Sequence, residues 1–317
     1  MTTPAPILRP LATAMVLACT CALLATVLTG RSSASTSDEA APSRAALDDI
    51  GVVTYNVLVH RSPGALRQEV ARLAARPDVD VIGWQEANKL VHRPRSGGAT
   101  PLQTLQAHGF QTATFGKPKE PISWRASEFE LVSTARHHMC RPAPRRARVN
   151  FPAKWLNVVT LRDRQTGHLM SVTNVHVAHS AEAWRTRPGR FSRLATAACA
   201  KRIYRQLARL WPTLPGRYVV AAGDWNFDYK TDRRRKPVGG MARTLGPLTV
   251  SNWQLLGYRP KARTVTMRQN HRPSRLIDWV LVNRQDVASG EVRPLAHAVL
   301  RGYRSDHRPV LLRLALH

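Results

Sequence analysis

The 317 residues, 43% of them hydrophobic, are enough for a sizeable core and too apolar for a disordered chain, while four cysteines are too few for a disulfide-built framework. Lys and Arg number 48 against 20 Asp and Glu, a formal net charge of +28 that disfavours basic partners and favours nucleic acid, phosphorylated polymers or an anionic membrane surface. Only eight of those 48 are lysine, so the excess is largely arginine, which codon composition produces as readily as selection for a ligand does.

Met1–Gly30 reads as a targeting segment, with Arg9 in a short leading region, an apolar stretch over Leu11–Leu28, and the small-residue tract Ser32–Ser37 behind it. This predicts a secreted, extracellular protein; an uncleaved signal anchor, holding the domain outside a membrane, is the alternative because the apolar stretch approaches spanning length. Cys19 and Cys21 leave with the segment. Residues 31–49 read as a disordered leader, and 50–317, free of repeats and long linkers, as one domain. Within it Cys140 and Cys199 are the remaining cysteines, a candidate disulfide whose spacing fits no zinc motif.

Ile50–Val59 is β-branched and strand-like and carries Asn56 in its second half. After the Ser62-Pro63-Gly64 break, Leu66, Val70, Leu73 and Ala74 recur at helical spacing, with Ser62 as N-cap and a stop at Pro77. The strand Val79–Gln85 delivers Glu86 at its end, where a carboxylate is solvated, paired or bound to a metal. A basic, Gly-rich loop spans Val91–Thr100, a short helix is expected around Leu102–Ala107, and a strand over Phe110–Phe115. Ile122–Trp124 and Phe129–Ser133 read as neighbouring strands joined by a turn at Arg125–Ser127. Arg141–Arg148 is an arginine-rich loop, suited to solvent or to a phosphate backbone.

Lys154–Arg162 and His168–Val177 read as a hairpin turning at Gln165-Thr166-Gly167, and its second strand ends with Asn174 and His176 on one side. Glu182–Arg193 is a basic loop holding Trp184, and a helix with Ile203, Leu207, Leu210 and Trp211 at its apolar positions closes at Pro212. Tyr218–Asp228 (YVVAAGDWNFD) is the centre of the chain: an apolar strand, Gly223 for close approach, then Asp224 and Asn226 two residues apart. Alone, that junction is better explained as turn chemistry. A second basic loop follows at Lys230–Lys236. Leu276–Val282 is an apolar strand interrupted by Asp278, and the last strand, Pro309–Leu314, is led by Ser305-Asp306-His307.

Each polar group has an ordinary structural explanation, but the ordered set does not. Thr54-Tyr55-Asn56, Trp84-Gln85-Glu86, Asn174-Val175-His176, Gly223-Asp224-Trp225-Asn226, Ile277-Asp278-Trp279 and Ser305-Asp306-His307 resemble, motif for motif, the endonuclease/exonuclease/phosphatase superfamily of DNase I-like enzymes. The resemblance implies an α+β fold, a four-layer α/β sandwich of two mixed β-sheets packed face to face with flanking helices. It also implies one metal-dependent site, with Mg2+ or Mn2+ held by Glu86, Asn56 and Asp306. Asp224 would orient or deprotonate the attacking water, Asn226 would hold water or a phosphate oxygen, and Asp278 would orient His307 as a charge stabiliser. His176, supported by Asn174, would contact the phosphate or protonate the leaving group.

The Asn-x-His pair resembles the branch holding DNase I, sphingomyelinases, deadenylases and inositol polyphosphate phosphatases more than the abasic-site repair enzymes. The expectation is a secreted, divalent-metal-dependent phosphodiesterase, a nuclease on DNA or RNA, working as a monomer without an obligate protein partner. A sphingomyelinase-type phospholipase or a phosphatase is the alternative within the fold, and an inactive nucleic-acid-binding module the alternative outside catalysis. Membrane contact is expected only if the N-terminal segment stays attached.

Overall fold

The computed structural model describes residues 49–58, 61–116, 119–143, 151–179, 181, 191–228, 241–256, 267–269 and 272–317. The targeting segment, nearly all of the leader, most of the arginine-rich loop at 141–148, Trp184 and the basic loop at 230–236 lie outside them. No helix among the described residues is long and apolar enough to cross a membrane.

The chain opens with β1 (Ile50–Asn56), α1 (Pro63–Ala74) and β2 (Val81–Gln85), then α2 (Pro101–Ala107), β3 (Phe110–Ala113) and β4 (Ile122–Arg125). Next come β5 (Phe129–Cys140), β6 (Lys154–Asp163), β7 (Leu169–His176), α3 (Phe191–Leu210) and β8 (Tyr218–Asp224), followed by β9 (Thr249–Ser251). A separate two-stranded ribbon, β10 (Met267–Gln269) with β11 (Arg272–Arg275), precedes β12 (Asp278–Asn283), β13 (Val292–Val299) and β14 (Val310–Leu316). One six-stranded sheet runs β13-β14-β1-β2-β4-β3, the other β5-β6-β7-β8-β12-β9. Each is mixed: β1 and β2 are parallel in the first, β7 and β8 in the second, and the other pairings are antiparallel.

Three apolar clusters show how these parts stack. Val52, Val81, Ile122 and Leu312 of the first sheet meet Val159, Val172, Val220 and Val280 of the second, so each sheet buries one face against the other. The outer face of the first sheet (Val53, Tyr55, Ile82, Trp84) is covered by Leu66, Val70 and Leu73 of α1 and Leu105 of α2. Ile203, Tyr204 and Leu207 of α3 cover the outer face of the second, against Leu156, Val175, Val219 and Ala221. Each fully buried aliphatic side chain of this kind contributes ~1.5–3 kcal/mol. The central strands therefore carry apolar residues at successive positions, because both of their faces are covered, whereas the edge strands β3, β5 and β13 are partly exposed.

Local signals agree with the elements. Ser62 Oγ caps α1 by accepting from Ala65 N, and Thr100 with Gln103 forms a capping box on α2. The β6–β7 turn is set by Asp163, whose Oδ1 accepts from the backbone N–H of both Gln165 and Thr166. Gly83 and Gly223 sit where backbones must approach: a Cβ on Gly83 would lie 2.7 Å from Ala222 Cβ in the facing sheet, and one on Gly223 would lie 2.7 Å from Val175 Cγ1. The close neighbour of Gly223 is thus β7.

Two expectations are corrected. Ile122–Trp124 and Phe129–Ser133 do not pair with each other: β4 lies between β2 and β3, whereas β5 is the edge of the second sheet and extends to Cys140. The short turn between them is the crossing point from one sheet to the other. β13 was absent from the expected elements because Pro294 interrupts it; it is an edge strand with a register shift at Pro294/Ala296, where a missing N–H is tolerated. Cys140 on β5 and Cys199 on α3 form a disulfide that ties the helix to the edge of its sheet.

Candidate active site

The C-terminal ends of β1, β2, β7 and β8 meet the start of β12 and the loop before β14 at one edge of the paired sheets. There Glu86, His176, Asp224, Asn226, Asp306 and His307 line a single cleft of about 570 Å3. Among the described residues, positive φ at non-glycine positions occurs at Leu58, Glu86, Phe115 and Asn226, and all but Phe115 line this cleft. Such backbone is costly, so its concentration here reflects side chains aimed by the surrounding structure. β8 ends at Asp224, and Asn226 reaches the cleft through the left-handed turn at φ 50°, not by continued strand alternation.

Asp224 is the hub. Its Oδ1 accepts from Asn226 N at 2.9 Å and its Oδ2 accepts from Asn56 Nδ2 at 3.0 Å, while His176 Nε2 and His307 Nε2 stand 3.5 and 3.8 Å from that same Oδ2. Asn56 also donates to Glu86 Oε1 at 3.3 Å, and its own oxygen accepts from Leu58 N, so the amide as placed clamps two carboxylates. Asn226 Nδ2 donates to Val177 O at 2.9 Å, fixing the turn. Burial raises the Asp224 carboxyl to about 6, opposed by the positive charge of His307.

His307 is held by Asp278, which is fully buried with both oxygens within 3.0 Å of His307 Nδ1. Burial alone would lower this imidazole, but the carboxylates of Asp278 and Asp224 overcome it and raise His307 to about 10. It is therefore an imidazolium at neutral pH, with Nε2 the free donor. His176 is the opposite case: burial, joined by the positive charges of Lys154 and His307, lowers it well below its ordinary value, so it rests neutral. The acid in an apolar strand is thus accounted for by its imidazole partner.

Asp306 and His307 are aimed by a tethered loop. Buried Glu69 on α1 accepts from Arg304 N at 3.0 Å and from the Tyr55 hydroxyl at 2.7 Å. The Ser305 hydroxyl lies 2.8 Å from Asn56 O and 3.2 Å from Asp306 Oδ1, and accepts from His307 N.

Asn174 stands apart from the cleft. It is fully buried, donating to Trp84 O and Pro121 O and accepting from Gln85 Nε2 at 2.7 Å. It shares its strand face with His176, but deeper, where it fastens β7 to β2 across the two sheets.

Asn88, Lys119, Glu120, Lys154 and His179, none of them marked as site residues by the sequence patterns, also line the cleft. Lys154 and Glu120 are almost completely buried, and Glu120 Oε2 has no hydrogen-bond partner. Burial raises Glu120 to about 7 and lowers Lys154, each opposed by attraction to the other. Lys154 carried a signal, a charge opening an apolar strand, of the kind that marked Glu86. Glu120, in a loop before Pro121, carried none.

The donor chemistry suits a divalent cation. Asp224, Asp278 and His307 present ligand-type atoms within 4.8 Å of one another, a buried cluster capable of coordinating a metal when the imidazole is deprotonated; with His307 charged and paired to Asp278, the carboxylates are the donors that remain. Glu86 and Asp306 add carboxylates from the open side of the cleft, an oxygen-rich set without cysteine that fits a hard ion.

The fold and this arrangement are consistent with a metal-dependent phosphoesterase. Residues 53–307 match the endonuclease/exonuclease/phosphatase family, and the chain belongs to it. No curated protein matches the sequence. Among solved structures, humanized D. rerio TDP2 aligns with a TM-score of 0.59 at 16% identity, over 84% of this chain and 98% of that one. A mannosyl-6-phosphatase of Bacteroides thetaiotaomicron aligns with a TM-score of 0.53 at 16% identity, over 84% and 99%. The human Nocturnin catalytic domain with bound sulfate gives 0.53 at 14%, over 85% and 95%.

Proposed function

We propose that this chain is an exported, divalent-metal-dependent phosphodiesterase that cleaves nucleic acid. The observation carrying the reading is the Asp224 carboxylate, buried where it lines the cleft, raised to about 6 and with its Oδ2 flanked by one charged and one neutral imidazole. A phosphodiester resists attack because its own oxygens are negative, so catalysis needs charge neutralisation, an oriented water and a base near neutral pH.

Glu86 and Asp306, with Asn56 and Asp224 beside them, would hold Mg2+ or Mn2+, which supplies Lewis-acid neutralisation of the phosphate oxygens when bound. Asp224 Oδ2 orients the water and takes its proton, and Asn226 keeps that carboxylate aimed through its backbone N–H. The His307 imidazolium donates from Nε2 to a phosphoryl oxygen, its charge maintained by Asp278. His176, neutral at rest, binds a second phosphate oxygen as an N–H donor. Lys154 lines the same cleft, and the +28 balance favours a polyanionic substrate. TDP2 has been solved with a single-strand DNA product, so the fold accommodates such a ligand in a structural neighbour.

The test is a substrate panel under magnesium: oligonucleotides, bis(4-nitrophenyl) phosphate, sphingomyelin and a phosphomonoester. Turnover of oligonucleotides above the other three supports the reading. Preferential release of phosphate from the monoester, or of phosphocholine from sphingomyelin, overturns it.

A further inference from the structure

Two further recesses have no function in the chemistry above. The first, of about 430 Å3, is lined by Gly116, Lys119, Arg136, Ala153 and Trp155. Lys119 lines this recess and the catalytic cleft alike, and Lys154 of the cleft lies between Ala153 and Trp155 in the chain. The second, of about 630 Å3, is lined by Lys89, His92, Arg93 and Arg95 among others, and Lys89 follows Asn88 of the cleft. No acidic residue lines either recess among the described residues.

Their chemistry differs. In the first, the Arg136 guanidinium lies 3.9 Å over the half-buried Trp155 ring and is pinned by donation to Phe115 O at 3.0 Å, while the His138 ring packs edge-on against the indole at 4.8 Å. A stacked indole and guanidinium thus line this recess together with Lys119, which also lines the catalytic cleft. Nucleobases stack on indole and guanidinium planes, and only an unpaired base offers its face. The second recess is a cationic surface: Arg93 and Arg95 are exposed, on the basic loop that the sequence showed after Glu86. It suits the backbone phosphates of a strand and reads no base.

Resting on the nuclease reading, we infer that the Trp155–Arg136 recess is a nucleobase-stacking subsite and the Lys89–Arg95 recess a phosphate track, which together extend the hold on a single strand beyond the reacting phosphate.

The probe is a fluorescently labelled single-stranded oligothymidylate, its anisotropy titrated with the full chain in chelator, beside a duplex of equal length. Thermal melting shows that each variant is folded. The wild type binds the single strand more tightly; Trp155→Leu weakens that complex about tenfold, the scale of one lost stacked base, and leaves the duplex unchanged. The double variant Arg93→Glu/Arg95→Glu weakens both and lowers the salt slope for the single strand by roughly 1.4, as expected for two lost phosphate contacts. Unchanged single-strand binding in Trp155→Leu, or an equal loss on the duplex, overturns the stacking subsite. Loss of anionic vesicle binding by these variants with oligonucleotide binding intact would assign the surface to lipid and overturn it too. Cleavage of the oligonucleotides by the wild type with magnesium reports on the parent reading separately: no cleavage with strand binding intact sinks the nuclease and leaves the subsite standing.

Discussion

Replacing Asp278 by Asn removes the charge that holds His307 as an imidazolium while keeping the shape of the side chain. Asp278 is fully buried with both oxygens within 3.0 Å of His307 Nδ1, and His307 is raised from an ordinary 6.5 to about 10. A displacement of that size corresponds to ~3–5 kcal/mol favouring the charged imidazole in the folded state, in line with the cost of breaking a buried pair. Because the folded value lies above the unfolded one, this contribution is complete below pH 6.5 and is lost as pH rises towards 10. Urea unfolding should therefore show the variant ~3–5 kcal/mol less stable at about pH 6, with the gap closing at about pH 10. Phosphodiester turnover near neutral pH should fall ~100-fold or more, since the charge donor is lost. A stability difference that stays constant with pH would refute the ion pair as its source, and unaltered turnover would refute the role of the imidazolium.

The other predictions address different parts of the site. Glu86→Gln should raise the magnesium concentration giving half-maximal activity by ~10–100-fold, measured by metal titration, whereas a residue outside the metal site would lower activity without moving that midpoint. Glu120, raised from 4.5 to about 7 by burial, destabilises the fold as pH climbs through that window, so Glu120→Gln should flatten the stability profile between those values and gain ~3 kcal/mol above it. Thermal melts across pH would show a parallel, unflattened profile if Glu120 ionises freely. The Cys140–Cys199 bridge closes a separation of 59 residues, so a double serine variant should lose ~2–4 kcal/mol in denaturant unfolding, and an unchanged midpoint would exclude a stabilising role.

The strand framework was legible because both sheet faces are covered, leaving long apolar runs whose ends are marked by polar groups. Asn56, Glu86, His176, Asp224, Asp278, Asp306 and His307 were each conspicuous as polar interruptions of such runs, and the fold brings their strand ends to one edge. Pairing was less legible: β4 and β5 are separated by three residues yet belong to different sheets, since a short connection can turn back or cross over. Asn174 looked like a partner of His176 by alternation, but depth along the strand face decides whether a residue meets substrate or the opposing sheet. Glu120 and Lys119 were invisible because loops carry no periodicity. The Trp155–Arg136 platform escaped because it is assembled across two strands, with His138 paired to Trp155 in the β5–β6 ladder.

The central claim, metal-dependent cleavage of nucleic acid through Asp224, is tested most directly by release of acid-soluble nucleotides from plasmid and single-stranded DNA and from RNA. The measurement compares magnesium with chelator, and wild type with a folded Asp224→Ala variant. The account predicts release in magnesium, its loss in chelator, and a fall of at least ~1000-fold in the variant, the scale of a lost base and water-orienting group. Cleavage that survives either chelator or the variant, or its absence from a folded wild type on all three polymers, would contradict it.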